Sequence, residues 1–96
     1  MFGDITRDDQ RLVILRTLVD TNGTANDSIL QKMLHRFGHH ISRDLVKTHL
    51  AWLEENELVK LDHVMSTDVA TITARGHDVA TGSARVPGVG IPRPGA

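Results

Sequence analysis

The chain has 96 residues, of which 40% are hydrophobic and 3% aromatic, and its formal net charge at pH 7 is −1. This length predicts one small domain with a core of Leu, Val, Ile and Ala, and the charge excludes a strongly basic coat for nonspecific nucleic-acid binding. The lack of cysteine excludes disulfides and thiolate metal sites, and the apolar runs are too short to span a membrane, so we expect a cytoplasmic protein without membrane contact.

The first predicted helix follows Thr6 and the acids next to it, which are typical of a helix N-cap. The run QRLVILRTLVD places its apolar side chains within an arc of roughly 160°, with Val13 on the opposite side. The turn pair Asn22-Gly23 then ends the helix.

Two further helices are predicted before residue 57. Asn26 or Asp27 can cap the second helix, which ends before Gly38. Ser42 caps the third, which extends to about Asn56. The apolar face of the second helix is expected to consist of Ile29, Leu30, Met33, Leu34 and Phe37.

The pattern changes after the third helix. LVKLDHV and DVATI are short, β-branched and nearly alternating, which predicts the two strands of a hairpin, and Thr73 can cap a short last helix, ARGHDVATG. The remaining sequence is rich in Pro and Gly and has little to build a core. We therefore expect a folded domain over residues 1–83 and a flexible tail over residues 84–96.

The third helix separates an apolar arc from a polar one. The polar arc carries its cations near the N-terminal end, where they are expected to be exposed, whereas Glu54 and Glu55 come late. Long cationic donors beside the small Ala51 suit a recognition helix that approaches a DNA groove closely. A solvated face of mixed charge is the alternative that this helix leaves open. The predicted contacts to double-stranded DNA are Ser42, Arg43, Asp44, Lys47 and Thr48.

SRDLVKTHLAWLEENELVKL resembles the recognition helix and wing of winged-helix regulators, notably the arsenic-repressor type. The matching positions are Val46, Lys47-Thr48, His49-Leu50, Leu53 and Leu58-Val59. TITARGHDVATG is similar to the Thr-x-x-Gly step that closes the wing, with Thr73 and Gly76 in place. The whole chain also resembles small winged-helix proteins of Mu-like prophages. The resemblance implies an α+β winged helix-turn-helix with three helices, a two-stranded wing and a short C-terminal helix.

Two functions follow from these observations. The first is a small phage-type DNA-binding regulator that inserts the N-terminal end of its third helix in the major groove and works as a dimer. The hairpin tip HVMST has neither Arg nor Lys, so the alternative is a protein-interaction module of phage assembly or packaging, whose tail binds another phage protein. Candidate contacts of a homodimer are Phe2, Val13 and Trp52.

No enzyme, metal site or cofactor site is predicted. HRFGHH supplies His35, His39 and His40, but Gly38 ends the helix between them and no suitable carboxylate completes a ligand set. The sequence shows no nucleophile–base pair and no phosphate-binding glycine loop. His49 falls on the apolar arc, so we expect a buried histidine with hydrogen-bond partners and a lowered pKa.

Overall fold

The computed structural model describes residues 2–92. In this range the chain forms helices α1 (Phe2–Asp20), α2 (Asp27–Arg36), α3 (Arg43–Glu55) and α4 (Ala74–Thr81), and strands β1 (Thr24–Asn26), β2 (Val59–Val64) and β3 (Thr67–Ile72). The predicted α+β class is confirmed. Within the described range, no helix is both long enough and apolar enough to cross a membrane.

Helix α1 lies at the centre of the core and packs against α2, α4 and the sheet. It begins at Phe2 and already includes Thr6, so the predicted N-cap at Thr6 is wrong. Val13 is buried as well, because neighbouring elements cover more of α1 than one apolar arc. The fully buried side chains that meet in this core include Ile14, Leu15, Leu18, Leu30, Leu34, Leu50 and Leu53.

The antiparallel sheet has the strand order β1-β3-β2 and therefore contains one strand more than the sequence predicted. Strand β1 pairs with β3, with Ala25 opposite Ala70, and β2 pairs with the other edge of β3, with Leu61 opposite the same Ala70. Strand β1 has only three residues. So short a strand shows no detectable alternation of apolar and polar residues, and its partner strand lies far along the chain. Its pairing therefore depends on the tertiary structure.

Polar side chains cap the N-terminal ends of three helices, as predicted. Asn26, Ser42 and Thr73 each accept a hydrogen bond from the backbone N–H three residues later. Gly76 in α4 lies directly against the carbonyl oxygen of Leu58, and a Cβ atom there would overlap it. The Thr-x-x-Gly step therefore allows α4 to pack closely against the end of the turn that leads from α3 to β2.

Residues 84–92 form a strap that packs on the domain. Val86 and Val89 are only 7% and 6% exposed and belong to the hydrophobic core. The predicted mobility of the tail is therefore wrong for this segment, because two valines suffice when the rest of the domain supplies a complementary apolar surface. Residues 93–96 of the predicted tail lie outside the described range.

Backbone contacts fix the strap to α1 and α3. The backbone N–H of Gly90 donates to the carbonyl oxygen of Asp8 at 3.0 Å. The carbonyl oxygen of Gly88 accepts from Nη1 of Arg11 at 3.1 Å, and Gly88 itself lies against the indole ring of Trp52. The Arg11 guanidinium stacks on the same ring, 3.9 Å from its centroid. Trp52 therefore closes the core beneath the strap.

His49 is buried, and both of its ring nitrogens have partners. Its Nε2 lies 2.8 Å from Oε1 of Gln10, and Nε of Arg11 donates to Nδ1 at 3.2 Å. A neutral ring with its proton on Nε2 satisfies both contacts. Burial, together with the positive charges of Arg11 and Arg7, lowers the pKa of His49 to about 4. The prediction of a partnered core histidine with a lowered pKa is confirmed.

Removing the strap should destabilise the domain. A chain that ends at Ser83 should lose roughly 2 kcal/mol of unfolding free energy, because two buried valines leave the core and the gain in chain entropy offsets only part of that loss. Urea unfolding followed by circular dichroism measures the change. An unchanged midpoint would contradict the packed position of the strap.

Two glycines provide a matched pair for the same test. Gly88 and Gly38 have φ angles of +98° and +87°, so alanine is strained at both positions. A Cβ added at Gly88 would lie 2.6 Å from the Trp52 ring, whereas a Cβ added at Gly38 would meet no neighbouring atom. We expect Gly88→Ala to cost roughly 1–3 kcal/mol more than Gly38→Ala. Equal losses of unfolding free energy would mean that the strap moves away from Trp52 at no energetic cost.

The domain should lose stability as the pH falls from about 6.5 to about 4. Over this window the unfolded chain protonates His49 at its ordinary pKa, whereas the folded chain resists protonation until about pH 4. The loss should reach roughly 3 kcal/mol in urea unfolding measured across the window.

His49→Gln should flatten the pH dependence of stability in this window, although it lowers the stability itself. His77→Gln provides the control, because His77 is exposed on α4. If the His49→Gln protein kept the pH dependence of the parent, the assignment to His49 would be wrong.

Candidate nucleic-acid interface

Helix α3 turns one polar strip outwards. The exposed positions Asp44, Thr48, Ala51 and Glu55 follow one another at helical spacing, and the opposite side buries His49 with three apolar residues. The predicted division of this helix into an apolar and a polar arc is confirmed, except that Leu45 of the apolar arc is 38% exposed. It follows from a periodicity of 3.6 residues, which the sequence itself carries.

Asp27, the first residue of α2, is a fully buried carboxylate at the N-terminal end of α3. Its Oδ1 accepts from Nε and Nη2 of Arg43, at 3.1 and 2.9 Å. Its Oδ2 accepts from Nζ of Lys47 at 2.9 Å and from the backbone N–H of Asp68 at 3.0 Å. The carboxylate therefore has four donors and two cationic partners.

These contacts keep Asp27 ionised. Burial by itself raises the pKa of this carboxyl, but the hydrogen bonds from the backbone of Asp68 and from the side chains of Lys47 and Arg43 outweigh it and lower the pKa to about 2. The hydrogen bond to Asp27 correspondingly raises the pKa of Lys47. Both partners are thus held in their charged forms.

The same two cations also hold the turn of the hairpin. Nζ of Lys47 donates to the carbonyl oxygen of Ser66 at 2.7 Å and lies 3.5 Å from the carboxylate of Asp68. Nη2 of Arg43 donates to the hydroxyl of Thr67 at 3.3 Å. Through these contacts the β2–β3 hairpin is fixed beside the N-terminal end of α3.

All five predicted DNA contacts lie at one end of α3, but they are not equally free. Ser42 caps the helix, and the hydroxyl of Thr48 donates to the carbonyl oxygen of Asp44. The side chains of Arg43 and Lys47 are 43% and 29% exposed. The expected exposure is confirmed for Arg43 and is wrong for Lys47, which is half-buried. Both cations are also ion-paired with buried Asp27, so neither is a free surface charge.

Asp27 is not recognisable from the sequence as the centre of this site. The local pattern indicates only an alternative cap of α2, and Asn26 has that role in the structure. The available signal was an acid at the start of one helix and two cations at the start of the next. Nothing in the local pattern showed that these three side chains meet.

The hairpin tip is apolar. Met65 is fully exposed, with a φ of 58°, and Val64 is 57% exposed. The turn from His63 to Ser66 carries no Lys or Arg, as the sequence shows. The tip therefore offers apolar contact area and no fixed positive charge to a partner.

The clustered histidines have other partners. Nε2 of His39 lies 2.6 Å from Oδ2 of Asp9, and Nε2 of His35 lies 3.3 Å from the carbonyl oxygen of Ile41. Across residues 2–92, no three side chains of the types His, Cys, Asp or Glu come together in a way that could hold a metal ion.

Asp27→Asn should destabilise the domain by roughly 3 kcal/mol. An amide offers one acceptor oxygen instead of two, and its NH₂ group would oppose donors that now meet a carboxylate. Asp44→Asn is the matched control on the exposed strip, with an expected change below about 1 kcal/mol. Chemical denaturation at pH 7 measures both. Equal effects would show that the buried cluster adds nothing to stability.

No protein-family model matches the chain, and no solved structure matches it. The chain is 51% identical over 96 residues to the uncharacterized protein gp26 of Escherichia phage Mu, with full coverage of both proteins. It is also 47% identical over 75 residues to an uncharacterized protein of Haemophilus influenzae, with coverage of 77% of this chain and 74% of that protein. These relatives fit the resemblance to small proteins of Mu-like prophages, and the chain belongs to the family of phage Mu gp26.

Proposed function

We propose that the chain is a winged-helix protein that binds double-stranded DNA through the first two turns of α3, as a small phage-type regulator. Support for this fold comes from the order α1-β1-α2-α3-β2-β3, the strand order β1-β3-β2, and a hairpin fixed beside the third helix. In such a fold, the helix after the turn is the one that enters the major groove.

The observation that carries the proposal is the held position of Arg43 at the exposed end of α3. Nε and Nη2 of Arg43 donate to Asp27 and Thr67, whereas Nη1 of Arg43 has no hydrogen-bond partner among the described residues. An arginine fixed along one edge loses little side-chain entropy when its other edge donates to a phosphate or to a guanine. The ion pair that reduces the local positive charge thus also orients the remaining donors.

A second candidate function is a protein-interaction module of phage assembly or packaging. The exposed apolar tip, Val64 and Met65, favours it, because a wing that lies on phosphates needs positive charge. In this function the hairpin tip, with or without α3, contacts another protein, and the chain needs no affinity for DNA.

Thr48→Glu tests the DNA-binding proposal. The new carboxylate would stand on the exposed strip of α3 and repel the DNA backbone, so affinity for a random duplex should fall at least about tenfold. Fluorescence anisotropy over a salt series measures it, and the affinity of the parent should decrease steeply with rising salt.

Thr81→Glu is the matched control on α4. Both threonines are exposed helix residues whose hydroxyls donate to the carbonyl oxygen four residues earlier. The control should keep the parent affinity. A parent without measurable binding at low salt, or equal losses in both variants, would refute the proposal and favour the interaction module.

A further inference from the structure

Phe37 is an exposed aromatic side chain beside an open pocket. It caps the C-terminal end of α2 and is 63% exposed, although the apolar pattern of that helix predicts it to be buried. The predicted apolar face is thus wrong at Phe37, where the chain turns at Gly38, and at Ile29, which is 44% exposed. The exposed ring forms one wall of a pocket of about 170 Å³ on the surface of α1.

The pocket has a buried floor of two apolar residues and one threonine, and a charged rim. Its floor consists of Leu12, Val13 and Thr17, which are at most 8% exposed. The exposed acids Asp9 and Asp20 lie on its rim. An apolar cavity of about 150 Å³ is large enough to hold benzene, so this pocket has room for one phenyl ring.

The charges around Phe37 complement those of the rim. Arg36 directly precedes Phe37, and Lys32 lies one turn earlier on α2, with both side chains exposed. The rim on α1 carries two acids and one arginine, Arg16, so its formal charge is negative. A phenylalanine that enters the pocket from a second copy brings its own Arg36 next to these acids.

We propose that this surface, formed by the α1 residues that line the pocket together with Arg36 and Phe37 and called the Phe37 surface, is the interface of a homodimer. The protruding Phe37 ring and the pocket lie on the same surface, so two copies related by a twofold axis can each insert Phe37 into the pocket of the other. The two rings then contact each other and the floor, and Arg36 of each copy faces Asp20 of the other. The inference is independent of DNA binding.

This arrangement revises the expected dimer contacts. Val13 remains a contact as part of the pocket floor, whereas Trp52 is covered by the strap and by the stacked guanidinium of Arg11. The side chain of Phe2 lies outside the described part of the structure. Neither residue is needed for the proposed interface.

Sedimentation velocity of the full chain, from about 10 μM to about 1 mM, tests the proposal. The parent should show a monomer–dimer equilibrium, and Phe37→Ser should weaken dimerisation at least about tenfold, because an aromatic anchor is lost from the centre of the interface. The melting temperature of the dilute variant should stay close to that of the parent, since the ring is mostly exposed in the monomer.

Ile29→Ser is the control, because it removes another exposed apolar side chain near the opposite end of α2 and should leave dimerisation unchanged. The charge arrangement has a separate test. Asp20→Arg and Arg36→Asp should each weaken the dimer, and the double variant should recover at least about tenfold of that loss. A parent that stays monomeric, a Phe37→Ser protein that dimerises like the parent, or a double variant without recovery would overturn the proposal.

Discussion

The buried carboxylate of Asp27 is the constraint that fixes the end of α3 and the hairpin beside it. An isolated charge in this position would be very costly, so its four hydrogen bonds and two cations are a requirement of burial. Because the donors come from α3 and β3 while the acid begins α2, one side chain determines how three elements meet. The hairpin cannot move away from α3 without uncovering this charge.

A second polar cluster holds α3 from its buried side. His49 contacts α1 through Gln10 and Arg11, and Arg11 continues to Trp52 and to the backbone of the strap. Hydrogen-bonded groups in a core specify orientation more strictly than apolar contacts, because each donor needs its own acceptor. Helix α3 is thus fixed at two places, and its exposed strip is a rigid surface for any partner.

The sequence predicted those features that depend on local chemistry. The caps Ser42 and Thr73 and the two arcs of α3 follow from hydrogen bonding and periodicity within a few residues, and the burial of His49 follows from the same helical phase. The five candidate contacts lie together at one end of α3. Their local positive charge is lower than the sequence indicates, because the neutralising acid lies in another helix.

The features that the sequence did not predict depend on distant partners. Strand β1 is recognisable only when β3 is beside it, and the strap is buried only because Trp52 and α1 offer a matching surface. Composition made the strap resemble a linker, since proline and glycine are common in both. In this segment Gly88 instead allows the backbone to approach an aromatic ring closely.

The contact between Arg11 and Gly88 joins residues that are 77 positions apart in the chain. A ribosome adds about 5–20 residues per second, so Arg11 emerges several seconds before its partner has been made. During that interval the strap side of α1 and the Trp52 ring stay uncovered, and the stacked arginine has only part of its final surroundings. The strap thus becomes available to the core only after α1 and α3 have been made, and the growing chain depends on its other core contacts until then.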